Sequence, residues 1–435
     1  MTKNNPGSIN RRRVGIVAGL RSPFFKSGTA YRDLSTLDLG AAVVNEMLQR
    51  NSLDPSQIDK VVFGAVVPDV AAPNIAREVT LRNNMPASVD AFSVSRACAT
   101  STQSIVSGTQ AILAGDADIV VAGGVDSLSK PPITYSDAVV DALMAASSAK
   151  DMPSKLRAFS GVRPKDLAPR PPALEDISSG LTMGDAAEKM ARENGITREA
   201  QDQYAFESHL KAVEAWEKGV FDDEVMAFPI PPRFKDVVAK DGIPRADSTI
   251  EKLATLRPAF DRKYGSVTAG NASPLTDGAA AVVLMEEATA EKLGYEIKAF
   301  IRSWAFTGLD PAGQMLMGPS YATPRALDRA GMNMGDIDVV DMHEAFAAQM
   351  LSNIQAFASA EWAQKHLGRD DAIGAIDPDR LNLYGGSISL GHPFAATGAR
   401  QALTMANELV RRDTGTALVT QCAAGGLGAA LILER

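Results

Sequence analysis

Cys98, in Ser95-Arg96-Ala97-Cys98-Ala99-Thr100, and Cys422, in Gln421-Cys422-Ala423-Ala424-Gly425-Gly426, are the only two cysteines of 435 residues. Cys98 precedes the helix-like run Ser101-Thr102-Gln103-Ser104-Ile105, so it falls at or near a helix N-terminus. Free amides and the positive end of the helix dipole there favour a thiolate, and the thiol pKa is expected to fall from about 8.5 toward neutrality. Cys422 ends the apolar strand candidate that starts at Thr416, and the amides after it, around Ala424, can bind an oxyanion. Two histidines have comparable settings. His392, in Gly391-His392-Pro393, closes a loop rich in Gly and Ser, and the proline holds it at the tip of a new helix. One ring nitrogen can then take a proton from a thiol while the other steers a carbonyl oxygen. His343, in Asp341-Met342-His343-Glu344-Ala345-Phe346, ends a strand, where α/β proteins place their ligands. Glu344 also fits the acidic first turn of a helix. Two thiols with an imidazole between them are the equipment of acyl-thioester chemistry. Burial as small hydrophobes is the usual fate of any single cysteine, but both neighbourhoods here are loop-like and small.

Competing chemistries fit less well. Two Cys and two His are enough to hold zinc, yet no pair of them is separated by two to four residues, as metal-site motifs require. No phosphate-binding loop and no dinucleotide fingerprint occurs. The formal net charge of −8 argues against a broad nucleic-acid surface. No apolar run approaches the roughly 20 residues of a membrane span. Two distant cysteines make no disulfide framework, so the setting reads as reducing and the expected location is the cytoplasm. The basic cluster Arg11-Arg12-Arg13 leads into Val14–Ala18, which is too short for a signal-peptide core.

The elements that must position these residues alternate. Val14–Ala18, Val61–Val66, Ile119–Gly124, Ala279–Met285, Val339–Met342 and Ala417–Gln421 read as strands, and Asp38–Gln49, Thr100–Leu113 and Ala395–Val410 as helices. That rhythm predicts an α/β fold with strands buried on both faces. Leu53-Asp54-Pro55-Ser56-Gln57-Ile58-Asp59-Lys60-Val61-Val62 recurs as Met332-Asn333-Met334-Gly335-Asp336-Ile337-Asp338-Val339-Val340-Asp341. Cys98 opens a helix downstream of the first copy, and His392 downstream of the second. The order of elements marks a duplicated α/β half. Between the halves, from Ser129 to Arg257, prolines including Pro131-Pro132, Pro171-Pro172 and Pro231-Pro232 break the rhythm. It is expected to resume as a strand near Ser266-Val267-Thr268. Within this insertion, Ser136–Ala146 and Ser154–Phe159 read as short amphipathic helices with basic neighbours, suited to a partner helix or a membrane surface.

Together these motifs resemble the thiolase superfamily from Val14 to Glu434. The marks are the Cys98 block, Gly391-His392-Pro393, the Cys422 block, Leu256-Arg257-Pro258-Ala259-Phe260, and Thr268-Ala269-Gly270-Asn271-Ala272-Ser273 followed by Thr276-Asp277-Gly278. The resemblance implies duplicated βα halves in a five-layered αβαβα core with an inserted loop domain. Residues 1–128 would form the N-terminal half, completed by 258–286, with 129–257 inserted and 287–435 as the C-terminal half. It implies that Cys98 is acylated, that His392 activates it and that Cys422 is the second acid/base. The amides of Cys98 and Ala424 would form an oxyanion hole, and Met183, Arg245, Ser273 and Phe346 would line a coenzyme A tunnel. Coenzyme A is then a substrate, with no metal and no permanently bound cofactor. His343 stands where most members carry Asn, and Ala424 where they carry Gly. His343 and the length of Ser129–Leu181 resemble the β subunits of fatty-acid oxidation complexes. The implied activity is that of a 3-ketoacyl-CoA thiolase. Acetoacetyl-CoA thiolase is the near alternative and a non-catalytic acyl-CoA carrier the distant one. A homodimer or larger assembly is implied, with an enoyl-CoA hydratase/3-hydroxyacyl-CoA dehydrogenase α subunit as the expected partner.

Overall fold

Strands that alternate between two apolar faces need a layer of helices on each side, and this chain supplies both. The computed structural model describes residues 12–170 and 175–435. Arg11 of the basic lead-in and the Pro171-Pro172 pair lie outside the described residues. The main strands are β1 (Val14–Arg21), β2 (Lys60–Gly64), β3 (Asp90–Val94), β4 (Ile119–Asp126), β5 (Thr276–Glu286), β6 (Ala299–Gly308), β7 (Val339–Met342), β8 (Thr416–Ala423) and β9 (Leu427–Glu434). They pair in the order β7-β8-β9-β6-β1-β5-β4-β2-β3, and the two-residue strand Phe25–Lys26 pairs off this path with β5. β2 is parallel to β3 and β4, and β7 is parallel to β8, whereas the strands nearer the middle pair antiparallel. The halves meet where β1 pairs with β6 over only Gly15–Phe300 and Ile16–Ala299.

The helices that cover the sheet are α1 (Thr36–Arg50), α2 (Ile75–Arg82), α3 (Thr100–Ala114), α4 (Gly318–Ala330), α5 (Ala347–Ala358) and α6 (Thr397–Arg412). Side chains on successive strand positions sort into different cores. Val61 and Phe63 of β2 pack with Val43 and Val79 of α1 and α2, while Val62 between them packs with Ile105 and Val106 of α3. On β8, Leu418 joins Ala322 and Leu327 of α4, whereas Ala417 and Val419 join Leu403 and Leu409 of α6. Helices therefore form two outer layers and one central layer, with strands between them. The central pair, α3 and α6, approaches closely because residue 398 is glycine. A β-carbon there would lie 2.2 Å from Thr102 Oγ1.

The repeat read from the sequence is a structural one. In each copy a helix (α1 or α4) is followed by a 3₁₀ turn, Pro55–Gln57 or Met334–Asp336, and then by a strand (β2 or β7) that pairs in parallel. The six strands and three helices expected from the sequence are all present, with ends shifted by a few residues. Expectation fails at Ser266–Thr268, which makes only an isolated bridge between Pro258 and Thr268. There the Glu188 carboxylate accepts the Ser266 amide at 2.8 Å and also the Val267 amide, so a side chain supplies what a neighbouring strand would. β3, β6 and β9 were not visible in the sequence. β3 is an edge strand, and β6 mixes buried and half-exposed positions around Arg302 and Trp304, which blurs any alternation. Arg21 of β1 fastens the intervening segment to the core. Its fully buried guanidinium bonds to Glu224 at 2.9 Å and to Asp241 at 2.7 and 3.0 Å.

Candidate active site

The turn that carries Cys98 holds a backbone conformation that side chains resist. Ala97 has φ of +43°, in the left-handed region where a β-carbon is crowded. Thr100 stabilises it by donating its hydroxyl to the Ala97 carbonyl (2.7 Å) and accepting the Arg96 amide (2.8 Å). α3 begins at Thr100 with Ala99 as its cap, so Cys98 stands one residue outside the cap. Gly64, at the end of β2, leaves space for this turn, because a β-carbon there would meet Thr100 Cγ2 at 2.2 Å.

The two histidines arrive from the second half. His392 follows Gly391 (φ +104°), and its amide donates to Thr276 Oγ1 at 3.1 Å. Its Nδ1 lies 2.7 Å from the hydroxyl of Thr397, the first residue of α6. His343 follows β7, donates its amide to the Thr420 carbonyl at 2.9 Å, and has Nδ1 2.7 Å from Ser387 Oγ. The ring centroids are 4.1 Å apart. With both Nδ1 atoms taken by hydroxyls, each Nε2 is buried without a hydrogen-bond partner. The notion that the second nitrogen of His392 steers a substrate oxygen is thereby corrected, because Thr397 occupies it and Nε2 alone is free. One donor atom each from Cys98, His343 and His392 lies within 4.8 Å of the others. Sequence spacing excluded only a local metal motif; the fold brings three distant donors together. Glu344 is not a helix cap, since α5 starts at Ala347. Its buried carboxylate accepts from Tyr204 (3.0 Å), Ser208 (2.7 Å), Asn382 (2.8 Å) and the Ile388 amide (3.2 Å). It ties the end of β7 to the loop that leads to His392.

Cys98, His392 and Cys422 all border one cavity of about 830 Å³, whose wall includes Met183, Ser273, Phe346 and Ala424. Cys422 sits on β8 opposite Gly428 and is 1% exposed. The Ala424 amide, just past the strand, is directed at Cys98. Arg245 does not border the cavity; it is exposed, near His209. His343 also does not border it, being fully buried against His392. Phe260 of the Leu256–Phe260 motif does, and its ring meets Phe346 edge-on at 6.0 Å.

Residues 14–288 match the thiolase N-terminal domain and residues 295–435 the thiolase C-terminal domain. The chain belongs to the thiolase family. Among curated relatives, a 3-ketoacyl-CoA thiolase of Pseudoalteromonas translucida is 51% identical over 422 residues, 97% of each chain. One of Photobacterium profundum is 52% identical over 423 residues, again 97% of each. Among solved structures, Bacillus anthracis acetyl-CoA acetyltransferase has a TM-score of 0.82 at 34% identity, covering 98% of this chain and 99% of the other. Human mitochondrial 3-ketoacyl-CoA thiolase in complex with CoA has a TM-score of 0.81 at 30% identity, covering 98% of both.

The electrostatics of this thiolase's site correct one expectation. Burial pushes the Cys98 thiol up to about 11; the Ala424 amide and its own amide oppose this, and Asp126 adds to it. No cationic side chain is among the groups acting on it, and the helix begins too late to reverse the cost of burial. Cys98 is therefore a thiol at rest, not a standing thiolate. Burial, and then the nearby Arg400, lowers His392 to about 3. Burial, then His392 and Arg400, holds His343 well below the usual imidazole range. Burial, with Cys98 second, holds Cys422 well above the usual thiol range. The resting site is a set of neutral groups, and charge appears in it only during reaction.

Sequence reasoning missed the thiolase's orienting groups. Ser387 and Thr397 set the two imidazoles. Asp126 receives the amides of Val66, Val67 and Ala395, which joins the first half to the loop after His392. Thr397 stands five residues after His392, and that spacing was a usable signal. Hydroxyls at helix starts are common caps, however, so it did not stand out.

Proposed function

We propose that the chain is a 3-ketoacyl-CoA thiolase (acetyl-CoA C-acyltransferase) of fatty-acid β-oxidation, which cleaves 3-ketoacyl-CoA with coenzyme A to acetyl-CoA and a shortened acyl-CoA. The observation that carries this reading is the convergence of two thiols and one free imidazole nitrogen on a single cavity. His392 Nε2 takes the proton of Cys98, whose thiolate attacks the keto carbon at C3. The C2–C3 bond breaks and its electrons pass into the thioester of the departing acetyl-CoA. The new Nε2–H of His392 donates to the enolate oxygen, and His343 supports it from behind, through a water. Cys422 gives its proton to C2, completing acetyl-CoA. The Cys422 thiolate then takes the proton of incoming coenzyme A. The coenzyme A thiolate attacks the acyl-Cys98 thioester, and Cys98 recovers its proton from His392. The amides of Cys98 and Ala424 stabilise the tetrahedral oxyanion in each acyl transfer. The thioester itself holds the carbanion charge, so the steps close without a permanently bound cofactor.

Met183, Ser273 and Phe346 are assigned to the pantetheine arm, because they border the cavity. Arg245, exposed beyond it, is assigned to the phosphate end of coenzyme A. Relatives named 3-ketoacyl-CoA thiolase are 51–52% identical over 97% of the chain, which supports the longer-chain reading. Turnover measured on short, medium and long 3-ketoacyl-CoA chains tests it. Activity confined to acetoacetyl-CoA would move the assignment to an acetyl-CoA acetyltransferase, and no acyl transfer at all would leave a carrier.

We further infer a cytoplasmic homodimer or larger assembly that docks an enoyl-CoA hydratase/3-hydroxyacyl-CoA dehydrogenase α subunit. The helices Asp137–Ser148 and Met152–Ala158 turn Leu143, Met144, Met152 and Leu156 outward, all at least half exposed, and bury Val139. An apolar row of this kind suits a partner helix. No helix of the described residues is long and apolar enough to cross a membrane. Native co-purification decides the matter: recovery of a second subunit supports the complex, recovery on vesicles alone points to a membrane surface, and a lone dimer rejects both.

A further inference from the structure

We propose that Cys98, His343 and His392 form a site for a borderline-soft divalent metal ion, zinc above all, whose binding blocks the enzyme. The site stands on donor geometry and does not depend on the substrate assigned above. Three donor atoms lie within 4.8 Å of one another. Zinc bond lengths of about 2.0–2.3 Å in a tetrahedron place donors roughly 3.3–3.6 Å apart. The three need to close by about 1.5 Å at most, which side-chain rotation supplies. Both imidazole Nε2 atoms are buried and unpartnered, so nothing must be displaced from either before a metal is bound.

The surroundings resemble those of metal-binding histidines, in which the second nitrogen is fixed by a hydrogen bond. Here Ser387 Oγ and Thr397 Oγ1 each lie 2.7 Å from an Nδ1. A hydroxyl both donates and accepts. It can support the tautomer with a free Nε2 lone pair, as a metal requires, or the one with Nε2–H, as an oxyanion requires. Thiolate and imidazole together favour zinc over magnesium or calcium. On binding, Cys98 loses its proton to solvent and two neutral imidazoles donate lone pairs, which leaves a fourth position for water or substrate. His343 is the residue that turns a catalytic pair into a three-donor site. With nucleophile and base both engaged, acyl transfer stops.

Metal-free full-length protein titrated with zinc alone is expected to bind one tightly held ion per chain with release of a proton. Cobalt(II) in its place is expected to show tetrahedral absorption with a thiolate-to-metal charge-transfer band. Alkylation of Cys98, verified by peptide mass, removes the band. His343→Asn weakens zinc binding by tenfold or more, and Ser387→Ala by about 10- to 100-fold through the lost orienting bond. A cobalt spectrum without the charge-transfer band overturns the proposal, as does undiminished zinc binding after Cys98 alkylation. Unchanged affinity in a folded His343→Asn also overturns it. Should that variant fail to fold, the alkylated wild-type protein still decides.

Discussion

Cys98 and His392 meet as two neutral groups, and burial is the reason for both. Between about 3 for His392 and about 11 for Cys98, neither titrates alone, so the rate of Cys98 acylation is expected to be flat across neutral pH. An acid limb centred near the ordinary imidazole value would show that His392 is solvated and the site more open than described. Cys98→Ala should abolish acylation, read as the acyl mass missing from the Cys98 peptide after brief exposure to an acyl-CoA. Cys422→Ser should leave that label in place while slowing solvent deuterium exchange into acetyl-CoA; wild-type exchange would remove Cys422 from acid/base duty. Losing an oxyanion donor costs about 2.7–4 kcal/mol, or a factor on the order of 10²–10³. His343→Ala should show a loss of that size in kcat, and His343→Asn much less. Near-normal turnover of His343→Ala would make His343 structural, a residue that stands one layer behind the cavity.

At the scale of elements, the contact between α3 and α6 aligns the proposed nucleophile and base, since Cys98 precedes one helix and His392 the other. Gly398 permits it, and the Ala399 amide donates to Ser101 Oγ at 2.8 Å across the same contact. Gly398→Val should force the helices apart, lowering stability by about 1–3 kcal/mol and kcat by more than the melting shift accounts for. A variant with a lower melting temperature and unchanged kcat would show that this contact serves stability alone. The helices α1, α3 and α6 were legible from sequence, the last two although no side chain caps them, as was the repeated helix–turn–strand unit. β3 and β6 were not, because a strand with one wet edge or a half-exposed face does not carry a clean alternating signal.

For the whole molecule, the intervening segment is held to the core by a buried charge cluster. Arg21 of β1 faces Glu224 and Asp241, all within 2.7–3.0 Å. Removing the cation strands two buried carboxylates, so Arg21→Met should cost about 3–5 kcal/mol, measured by urea unfolding. A cost below about 1 kcal/mol would show that water reaches the cluster. Buried histidines shape acid stability. Burial lowers His209 to about 4, so between there and its ordinary 6.5 the unfolded chain binds the proton the folded one refuses, and stability falls as pH drops through that window. Asp126, raised to about 7, acts in the opposite sense. His209→Gln should therefore flatten the loss of stability between pH 6.5 and 4, and an unaltered slope would exclude His209 from that loss.

The sequence by itself determined the duplicated α/β layering, the two thiols and the two imidazoles, because periodicity, repeated order and residue chemistry are local properties of the chain. It misjudged how those groups are charged. Helix-tip placement argued for a thiolate at Cys98, but desolvation depends on what packs around the sulfur, and that comes from β8 and the second half of the chain. It also could not reveal that Cys98, His343 and His392 converge within 4.8 Å. Positions 98, 343 and 392 have no spacing relation; the packing of α3 against α6 relates the first and the last, and the pairing of β7 with β8 brings in His343. Ser387, Thr397 and Asp126 were silent for the same reason: their roles lie in the partners they meet, and those partners are chosen by the tertiary structure.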